Sequence, residues 1–325
     1  MPIPAVMQGH LSLPVVCSPL FIVSGPELVI AQCKSGMVGS FPALNARPEP
    51  VLEEWILRIK KELADHQAAN PGAKVAPFAV NQIAHHSNNR LMHDVDVCVK
   101  HKVPVIITSL RAPREVVDKI HSYGGIVLHD VINIRHAKKA LEDGVDGLIL
   151  VTAGAGGHAG ALSPFALLRE VRRFYNGTVV LAGSITDGAS ILAAQAMGAD
   201  LAYIGTRFIA TQEANADSRY KQMLLETSAK DIVYTNLFTG VLGNYLGPSI
   251  AAAGLDPENL PTADKSKMNF GSGGNMKQKA WRDIWSAGQG VGNIDDLPPV
   301  AELAKRMKQQ YEAAKADLAT AAKPF

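Results

Sequence analysis

The chain has 325 residues, of which 47% are hydrophobic and 19% are charged, a balance typical of a protein with a large buried core. Its formal net charge of +2 and the absence of long runs of like charge argue against nucleic acids and anionic membrane surfaces as partners. No apolar run reaches the roughly 18–20 residues that span a bilayer, and no basic and then apolar leader opens the sequence, so we expect a cytoplasmic protein with no membrane contact.

The three cysteines, Cys17, Cys33 and Cys98, are far apart in the sequence and lie in apolar surroundings. An odd number without paired spacing is not typical of a disulfide framework or of a metal site. We therefore expect three buried structural thiols, and we predict no bound metal.

Eight short apolar runs rich in β-branched residues follow one another along the first two thirds of the chain. Each is apolar along nearly its whole length, as expected for parallel strands covered on both faces, and amphipathic helical patterns such as 49–67 and 113–123 separate them. Eight such units predict an α/β fold of the (β/α)₈ barrel type, because a doubly wound sheet usually stops at about five to seven strands. The runs cover 13–18, 36–41, 77–82, 104–109, 125–130, 147–151, 178–183 and 201–205.

The regular alternation stops after Arg207. We predict that residues 1–213 form the barrel and that residues 214–284 form a smaller, mainly helical inserted domain. Residues 285–325 then return to the barrel and end in an amphipathic helix at about 298–318 that packs on it.

Two loops have the composition of a phosphate site. They are "AGSITDG" (182–188) and "IGTRF" (204–208), which follow the seventh and eighth predicted strands. In barrels of this type these loops often bind phosphate through backbone amides and a short helix N-terminus. Tight turns alone could explain either loop, but both together favour phosphate binding by Gly183, Ser184, Gly205 and Thr206, with Arg207 as a counter-charge.

His158 stands in "TAGAGGHAG" (152–160), directly after the sixth predicted strand. Barrel enzymes draw their catalytic groups from this end of the strands. An imidazole titrates near neutral pH and can accept a proton from a weak carbon acid. Because its neighbours are small and leave the ring accessible, we predict that His158 is catalytic; a histidine that merely caps the loop is the alternative.

Three further residues are predicted to line a substrate pocket. His85 follows the third strand in "AHHSNNR" (84–90), on the same edge of the barrel. Ser286 and Gln289 are polar residues of the glycine-rich "WSAGQGVG" (285–292), in which Trp285 could anchor a lid. A simple linker is the alternative for this segment.

The motifs together resemble the nitronate monooxygenase family, formerly called the 2-nitropropane dioxygenases. The resemblance extends over nearly the whole chain and is carried by "MQG", "SPLFIVSGPELVIAQCKSGMVGS", "PFAVNQ", "GAGGHAG", "AGSITDG", "GTRF" and "IWSAGQGVG". It implies an FMN-dependent oxidoreductase that oxidises alkyl nitronates, and also neutral nitroalkanes, with O₂ to carbonyl compounds and nitrite. The partners are then a small nitronate and O₂, and assembly into a homo-oligomer stays open.

The resemblance also implies roles for named residues. His158 would accept the α-proton of a nitroalkane or orient a nitronate, and Asn81 would hydrogen-bond the edge of the flavin ring. The remaining implied FMN-binding positions are the ring wall Ser18, Pro19 and Leu20, the glycines Gly156 and Gly157 that admit the flavin close to the backbone, and the phosphate ligands Gly183, Ser184, Gly205 and Thr206.

Two positions depart from the family pattern. Ser184 stands where the family usually has a second glycine. Asp130 stands near the flavin, at the end of the fifth strand, where several relatives carry a lysine; beside it, His129 could touch the flavin or be a packed strand-end residue. A carboxylate thus replaces a cation that could stabilise reduced, anionic flavin, which leaves the reaction with pyridine nucleotides open.

Two alternatives remain at this stage. The first is an FMN-dependent NAD(P)H reductase of quinones or enoyl thioesters, since such enzymes share the flavin barrel. The second is a non-redox barrel, a phosphosugar-binding isomerase or synthase, in which the two glycine loops would hold the phosphate of the substrate.

Overall fold

Eight parallel strands close into a barrel in the computed structural model, which describes residues 3–111, 113–263 and 284–321. Neighbouring strands are hydrogen-bonded in the order β1-β8-β7-β6-β5-β4-β3-β2, and a parallel bridge between Val16 and Val38 joins the two ends of this order. The predicted (β/α)₈ barrel is therefore confirmed. The strands are β1 (Val15–Cys17), β2 (Gly39–Pro42), β3 (Phe78–Ile83), β4 (Val105–Ser109), β5 (Ile126–Val131), β6 (Gly147–Val151), β7 (Thr178–Ala182) and β8 (Leu201–Ile204).

Helices cover the outside of the barrel between successive strands, as the apolar strand pattern requires. The last helix, predicted at about 298–318, runs over Val300–Ala321 and packs against the helix Gly188–Met197, where Gly188 brings the two backbones into close contact. The helices are α1 (Pro26–Lys34), α2 (Val51–Ala69), α3 (Leu91–Lys100), α4 (Arg114–His121), α5 (Ile134–Glu142), α6 (Pro164–Val171), α7 (Gly188–Met197), α8 (Thr206–Ile209), α9 (Ser218–Glu226), α10 (Gly247–Ala252) and α11 (Val300–Ala321).

Side-chain alternation along the strands divides the core into two layers. One buried cluster fills the barrel interior, and a larger one lies between the strands and the helices. The interior cluster includes Ala79, Ile107, Leu128, Ile149, Val180 and Leu201. Two positions further along each of these strands, the inward residue reaches the carboxyl end of the barrel.

The chain between α8 and α11, called the inserted segment below, contains two strands that the sequence analysis did not predict. Ile232–Thr235 pairs antiparallel with Gly243–Leu246, which in turn pairs antiparallel with Gly157–His158 on the loop after β6. This second sheet joins the inserted segment directly to the loop that carries His158. The proposed domain limits at residues 213 and 284 stay a prediction, and residues 264–283 of that segment lie outside the described ranges.

Two further sequence expectations concern the cysteines and membrane-spanning segments, and the first turn of α7 shows how the loop after β7 ends. Cys17, Cys33 and Cys98 are free and buried, as expected. Asp187 caps α7, with its side chain accepting a hydrogen bond from the Ser190 amide at 2.7 Å. Among the helices of the described ranges, none is long and apolar enough to cross a membrane.

Candidate active site

A cavity of about 480 Å³ opens at the carboxyl ends of the barrel strands. This size is within the range of roughly 300–1,000 Å³ that is usual for small-molecule sites. The last inward residues of the strands form its floor, and they are Ser18, Asn81, Ser109, Asp130, Val151, Ala182 and Tyr203. Five of these seven side chains are polar, in contrast to the apolar layer beneath them.

Asn81, Ser109 and Asp130 form a hydrogen-bonded chain across that floor. Asn81 Nδ2 donates to Ser109 Oγ at 2.9 Å and to the backbone oxygen of Ile107 at 3.1 Å. Ser109 Oγ donates to Asp130 Oδ2 at 2.6 Å. The network fixes Asn81, which the family resemblance assigned to the edge of the flavin ring, and Asp130, which it placed near the flavin.

The Asp130 carboxyl is in an environment that disfavours its charge. Burial raises its pKa to about 6, although the hydrogen bond from Ser109 acts in the opposite direction. Across the floor, burial raises the pKa of Tyr203 well above its usual value, and its hydroxyl is hydrogen-bonded with Ser18. The Tyr203 hydroxyl therefore stays protonated near neutral pH, whereas the Asp130 carboxyl keeps its proton only up to about pH 6.

His158 lines the same cavity and is half-buried. Its Nε2 is 3.0 Å from Thr239 Oγ1. Thr239 lies on the inserted segment, between the strands Ile232–Thr235 and Gly243–Leu246 of the second sheet. Burial lowers the pKa of His158 to about 4, so the ring is neutral near pH 7. A neutral imidazole has a nitrogen that can accept a proton, as the catalytic prediction requires.

The backbone around His158 is held from the inserted segment. His158 pairs with Gly243 in the second sheet, and the Ala159 amide donates to the Leu242 oxygen at 3.2 Å. Tyr234 Oη donates to the Ala159 oxygen at 2.8 Å. These bonds to a distant part of the chain position the histidine over the cavity.

The loop after β7 has an unusual backbone at both residues predicted to bind phosphate. Gly183 has φ +132° and Ser184 has φ +56°, a region that favours glycine. Within the described ranges, the backbone N–H groups of Gly183, Ser184, Gly205 and Thr206 have no hydrogen-bond acceptor. All four residues line the cavity, so these amides are available to an anion there.

Ser184 has room for its side chain because its neighbours are glycines. A Cβ added at Gly154 would lie 2.4 Å from Ser184 Oγ, and one added at Gly290 would lie 3.1 Å from Ser184 Cα. The departure from the family's second glycine is thus accommodated by two other glycines.

The return segment packs tightly over the loop after β6. A Cβ at Gly156 would meet the Gly288 amide nitrogen at 2.8 Å, and one at Gly288 would meet the Gly154 oxygen at 2.5 Å. The Gly288 amide also donates to Thr206 Oγ1 at 2.9 Å. Gly156 lines the cavity, but contact with the return segment excludes a side chain there. A Cβ added at Gly157 would meet no atom within 4 Å.

The other predicted site residues divide into two groups. Ser18, Pro19, Leu20 and Ser286 line the cavity. His85 and Gln289 are not among its lining residues: His85 Nδ1 contacts Ser87 Oγ at 2.8 Å, and the Gln289 amide donates to the Gly154 oxygen at 2.9 Å. Their role in a substrate pocket stays a prediction.

Trp285 and Arg207 pack against protein groups. Trp285 stacks on Tyr220 with ring centroids 5.0 Å apart, while still lining the cavity. The buried Arg207 pairs with Asp296 at 2.6 Å and does not line the cavity, so it is not the counter-charge expected from the sequence.

His129 points away from the cavity. It is buried, and its Nδ1 is 2.8 Å from Thr108 Oγ1. Burial lowers its pKa to about 4. Of the two interpretations left open by the sequence, the structure therefore supports the packed strand-end histidine.

One group outside the cavity has side chains of the kind that ligate metals: Glu49, His93 and Asp94. His93 Nδ1 is 2.9 Å from Glu49 Oε1, and Asp94 is paired with Arg90 at 3.0 Å. Because Arg90 already balances the buried carboxylate, this group is an ion-pair network of the protein itself. The expectation of no bound metal stays a prediction.

Sequence reasoning missed three residues of the site. Ser109 and Tyr203 are in predicted strands, in the same inward series as Ile107 and Leu201, so the period of two could have found them. Thr239 had no such signal, because no spacing connects it to His158.

Comparison with known proteins identifies the family. A family model described as "Nitronate monooxygenase" matches residues 50–310. The chain belongs to the nitronate monooxygenase family. The sequence-based assignment to this family of enzymes is therefore confirmed.

Two relatives with different names have the same sequence identity to this chain. A nitronate monooxygenase of Paraburkholderia phytofirmans is 27% identical over 92% of this chain and 93% of its own length. A protein of Rhodococcus jostii named "(3aS,4S,5R,7aS)-5-hydroxy-7a-methyl-1-oxo-octahydro-1H-indene-4-carboxyl-CoA dehydrogenase" is 27% identical over 89% of this chain and 90% of its length. The structure of nitroalkane oxidase from Streptomyces ansochromogenes has a TM-score of 0.78 with 22% identity, covering 97% of this chain and all of that one, which shows a common fold.

Proposed function

We propose that this member of the nitronate monooxygenase family binds FMN and oxidises alkyl nitronates with O₂ to carbonyl compounds and nitrite. The observation that carries the proposal is that His158 and the four acceptor-free amides of two loops open into one cavity. A base and an anion-binding cradle on the same cavity suit a phosphorylated cofactor with a carbon acid beside it.

The residues present fit the parts of FMN. The amides of Gly183, Ser184, Gly205 and Thr206 would hold its phosphate, and the Gly183 conformation leaves the backbone accessible. Ser18, Pro19 and Leu20 would lie along the ring, with Asn81 and Asp130 at a polar edge. FMN, when bound, accepts electrons from the substrate and passes them to O₂.

The chain itself binds and orients the substrate. The neutral imidazole of His158 would accept the α-proton of a nitroalkane or donate a hydrogen bond to a nitro oxygen. Trp285 and Ser286 of the return segment would restrict the access of water at the same side of the cavity.

The proposal is tested by loading the purified protein with FMN and mixing it with propionate-3-nitronate or ionised 2-nitropropane in air. We expect nitrite to form while O₂ is consumed, and both to depend on FMN. The same assay with FMN-loaded His158→Asn protein is the matched control, and it measures how far nitrite formation depends on His158. Flavin-loaded wild-type protein that forms no nitrite would contradict the proposal.

A second candidate is an enzyme acting on an acyl-CoA thioester, favoured by the Rhodococcus jostii relative of equal identity. Phe21, Leu110 and Ile132 line the outer cavity and are each 38% exposed, an apolar rim larger than a short nitronate needs. Anaerobic mixing separates the two: bleaching of the flavin by a nitronate favours the monooxygenase, and bleaching by NADPH with subsequent reoxidation by an enoyl thioester favours the alternative.

A further inference from the structure

Asp130 brings a carboxyl group to the floor of the cavity. It is the single acidic residue among the described lining residues, and it stands at the inward end of β5. Within the described ranges it forms no ion pair with an arginine, lysine or histidine. A buried carboxyl without a cationic partner holds its proton to a higher pH than an exposed one does.

The hydrogen bonds of its neighbours determine which oxygen would carry that proton. The Ile107 carbonyl can only accept, so the Asn81 atom 3.1 Å from it is the amide nitrogen. The same nitrogen donates to Ser109 Oγ, whose own proton then points to Asp130 Oδ2. Oδ2 is therefore an acceptor, and a carboxyl proton lies on Oδ1.

Asp130 Oδ1 is buried and has no hydrogen-bond partner in the described part of the chain. Since Asp130 lines the cavity, a ligand on the floor is the natural partner for this atom. A carboxylate oxygen at this point would repel the acceptor atoms of a flavin ring, whereas a carboxylic acid would donate to one of them.

The other titratable groups facing this floor do not neutralise a carboxylate. Tyr203 from β8 is neutral because burial raises its pKa, and His158 is neutral because burial lowers its own. Arg47 and His136 line the cavity but are exposed side chains of its outer part. Burial of Asp130 raises its pKa to about 6, so in the flavin-free protein the carboxyl keeps its proton to a higher pH than an exposed aspartate and loses it above pH 6.

We propose that Asp130 is a neutral hydrogen-bond donor to the flavin, with its proton on Oδ1, at the position where relatives use a lysine cation. This inference rests on the proposed binding of FMN. It implies that FMN binding is coupled to uptake of a proton by Asp130 wherever the carboxyl is ionised in the flavin-free protein. The coupling is a property of binding and does not depend on turnover.

The test compares FMN binding by flavin-free wild-type, Asp130→Asn and Asp130→Leu proteins between pH 5.5 and 8.5. Binding is measured by the quenching of flavin fluorescence. Asparagine keeps a donor and an acceptor without a titratable proton. We expect the wild-type Kd to rise above pH 6 by up to about tenfold per pH unit relative to Asp130→Asn. Asp130→Leu should bind about tenfold more weakly than Asp130→Asn at every pH.

The phosphate of FMN also titrates in this range, but it does so equally in all three proteins, so only the difference between them reports Asp130. Calorimetry in buffers of different ionisation enthalpy gives a second readout: at pH 7.5 the wild type should take up more protons on binding than Asp130→Asn, by up to one. Ser109→Ala removes the bond that stabilises the carboxylate and should move the onset of the pH dependence upward.

The outcomes separate the two proposals. Wild-type protein that binds FMN with the same pH dependence and proton uptake as Asp130→Asn overturns this inference and leaves the proposed function standing. Wild-type protein that binds no FMN at any pH overturns both. Should Asp130→Asn fail to fold, the shift of the pH dependence in Ser109→Ala decides the matter.

Discussion

The imidazole of His158 and the hydroxyl of Thr239 are in hydrogen-bond contact, with Nε2 and Oγ1 3.0 Å apart. Thr239 Oγ1 is also 3.0 Å from the Val241 carbonyl, which can only accept a hydrogen bond. A Thr239 hydroxyl that donates its proton there accepts from His158, an arrangement that places the proton of the neutral ring on Nε2. Nδ1 is then the basic nitrogen of the histidine.

Removing that contact should impair the histidine without removing it. We expect Thr239→Val to lower kcat/KM for a neutral nitroalkane about tenfold, because the ring loses a hydrogen bond that selects its tautomer. Thr239→Ser is the matched control, since it keeps the hydroxyl, and should stay near the wild-type value. Equal loss in the two variants would mean that packing at residue 239 matters and the hydrogen bond does not.

The base role of His158 predicts different effects on the two forms of a substrate. His158→Asn should bind FMN but turn over a neutral nitroalkane about 10²–10⁴-fold more slowly, the usual effect of losing a general base. Turnover of a nitronate, which has already lost its proton, should fall much less. Stopped-flow reduction with both forms measures the difference, and equal losses would remove His158 from the proton transfer.

Much of the fold was predictable because it depends on local pattern. Each of the eight apolar runs became a barrel strand, since a strand covered on both faces leaves an apolar signature along its whole length. The floor of the cavity follows from the same strands: Asn81 and Asp130 are inward because Ala79 and Leu128, two residues earlier, are inward.

The parts that sequence could not supply depend on contacts between distant segments. The pairing of Gly243 with His158 joins two glycine-containing segments with no strand pattern of their own. The contact of Thr239 with His158 follows from that pairing and has no separate signal. The sequence predicted a pocket-lining segment or a simple linker at 285–292, and it gave no sign that Gly288 and Gly290 are in tight contact with the loops after β6 and β7.

The backbone of Gly183 should be essential for cofactor binding. A Cβ there would lie 2.4 Å from Thr152 Oγ1 and 2.9 Å from the Ala153 oxygen, and φ of +132° is itself unfavourable for alanine. We expect Gly183→Ala to weaken FMN binding at least about tenfold, measured by fluorescence quenching.

Gly198→Ala is the control: Gly198 also has positive φ, +108°, but ends α7 and is not among the residues that line the cavity. It should lower stability and leave the FMN Kd unchanged; an equal effect on Kd would argue against binding at Gly183.

The unpaired carboxyl of Asp130 should make the flavin-free protein less stable at high pH. Its pKa is about 6 in the folded protein against an ordinary value of 3.8, so the folded state holds the proton more tightly than the unfolded state does. The favourable contribution is complete below pH 3.8 and is lost as pH rises to 6, so the native protein carries the unfavourable charge at pH 8. A pKa difference of this size corresponds to about 2 kcal/mol in the free energy of unfolding after allowance for partial exposure of the residue.

Urea unfolding of wild-type and Asp130→Asn proteins without FMN measures this contribution: the variant should gain stability relative to the wild type by that amount between pH 4 and pH 8. A gap that is the same at both pH values would show that Asp130 has the same pKa in the folded and unfolded states, which would contradict the raised pKa.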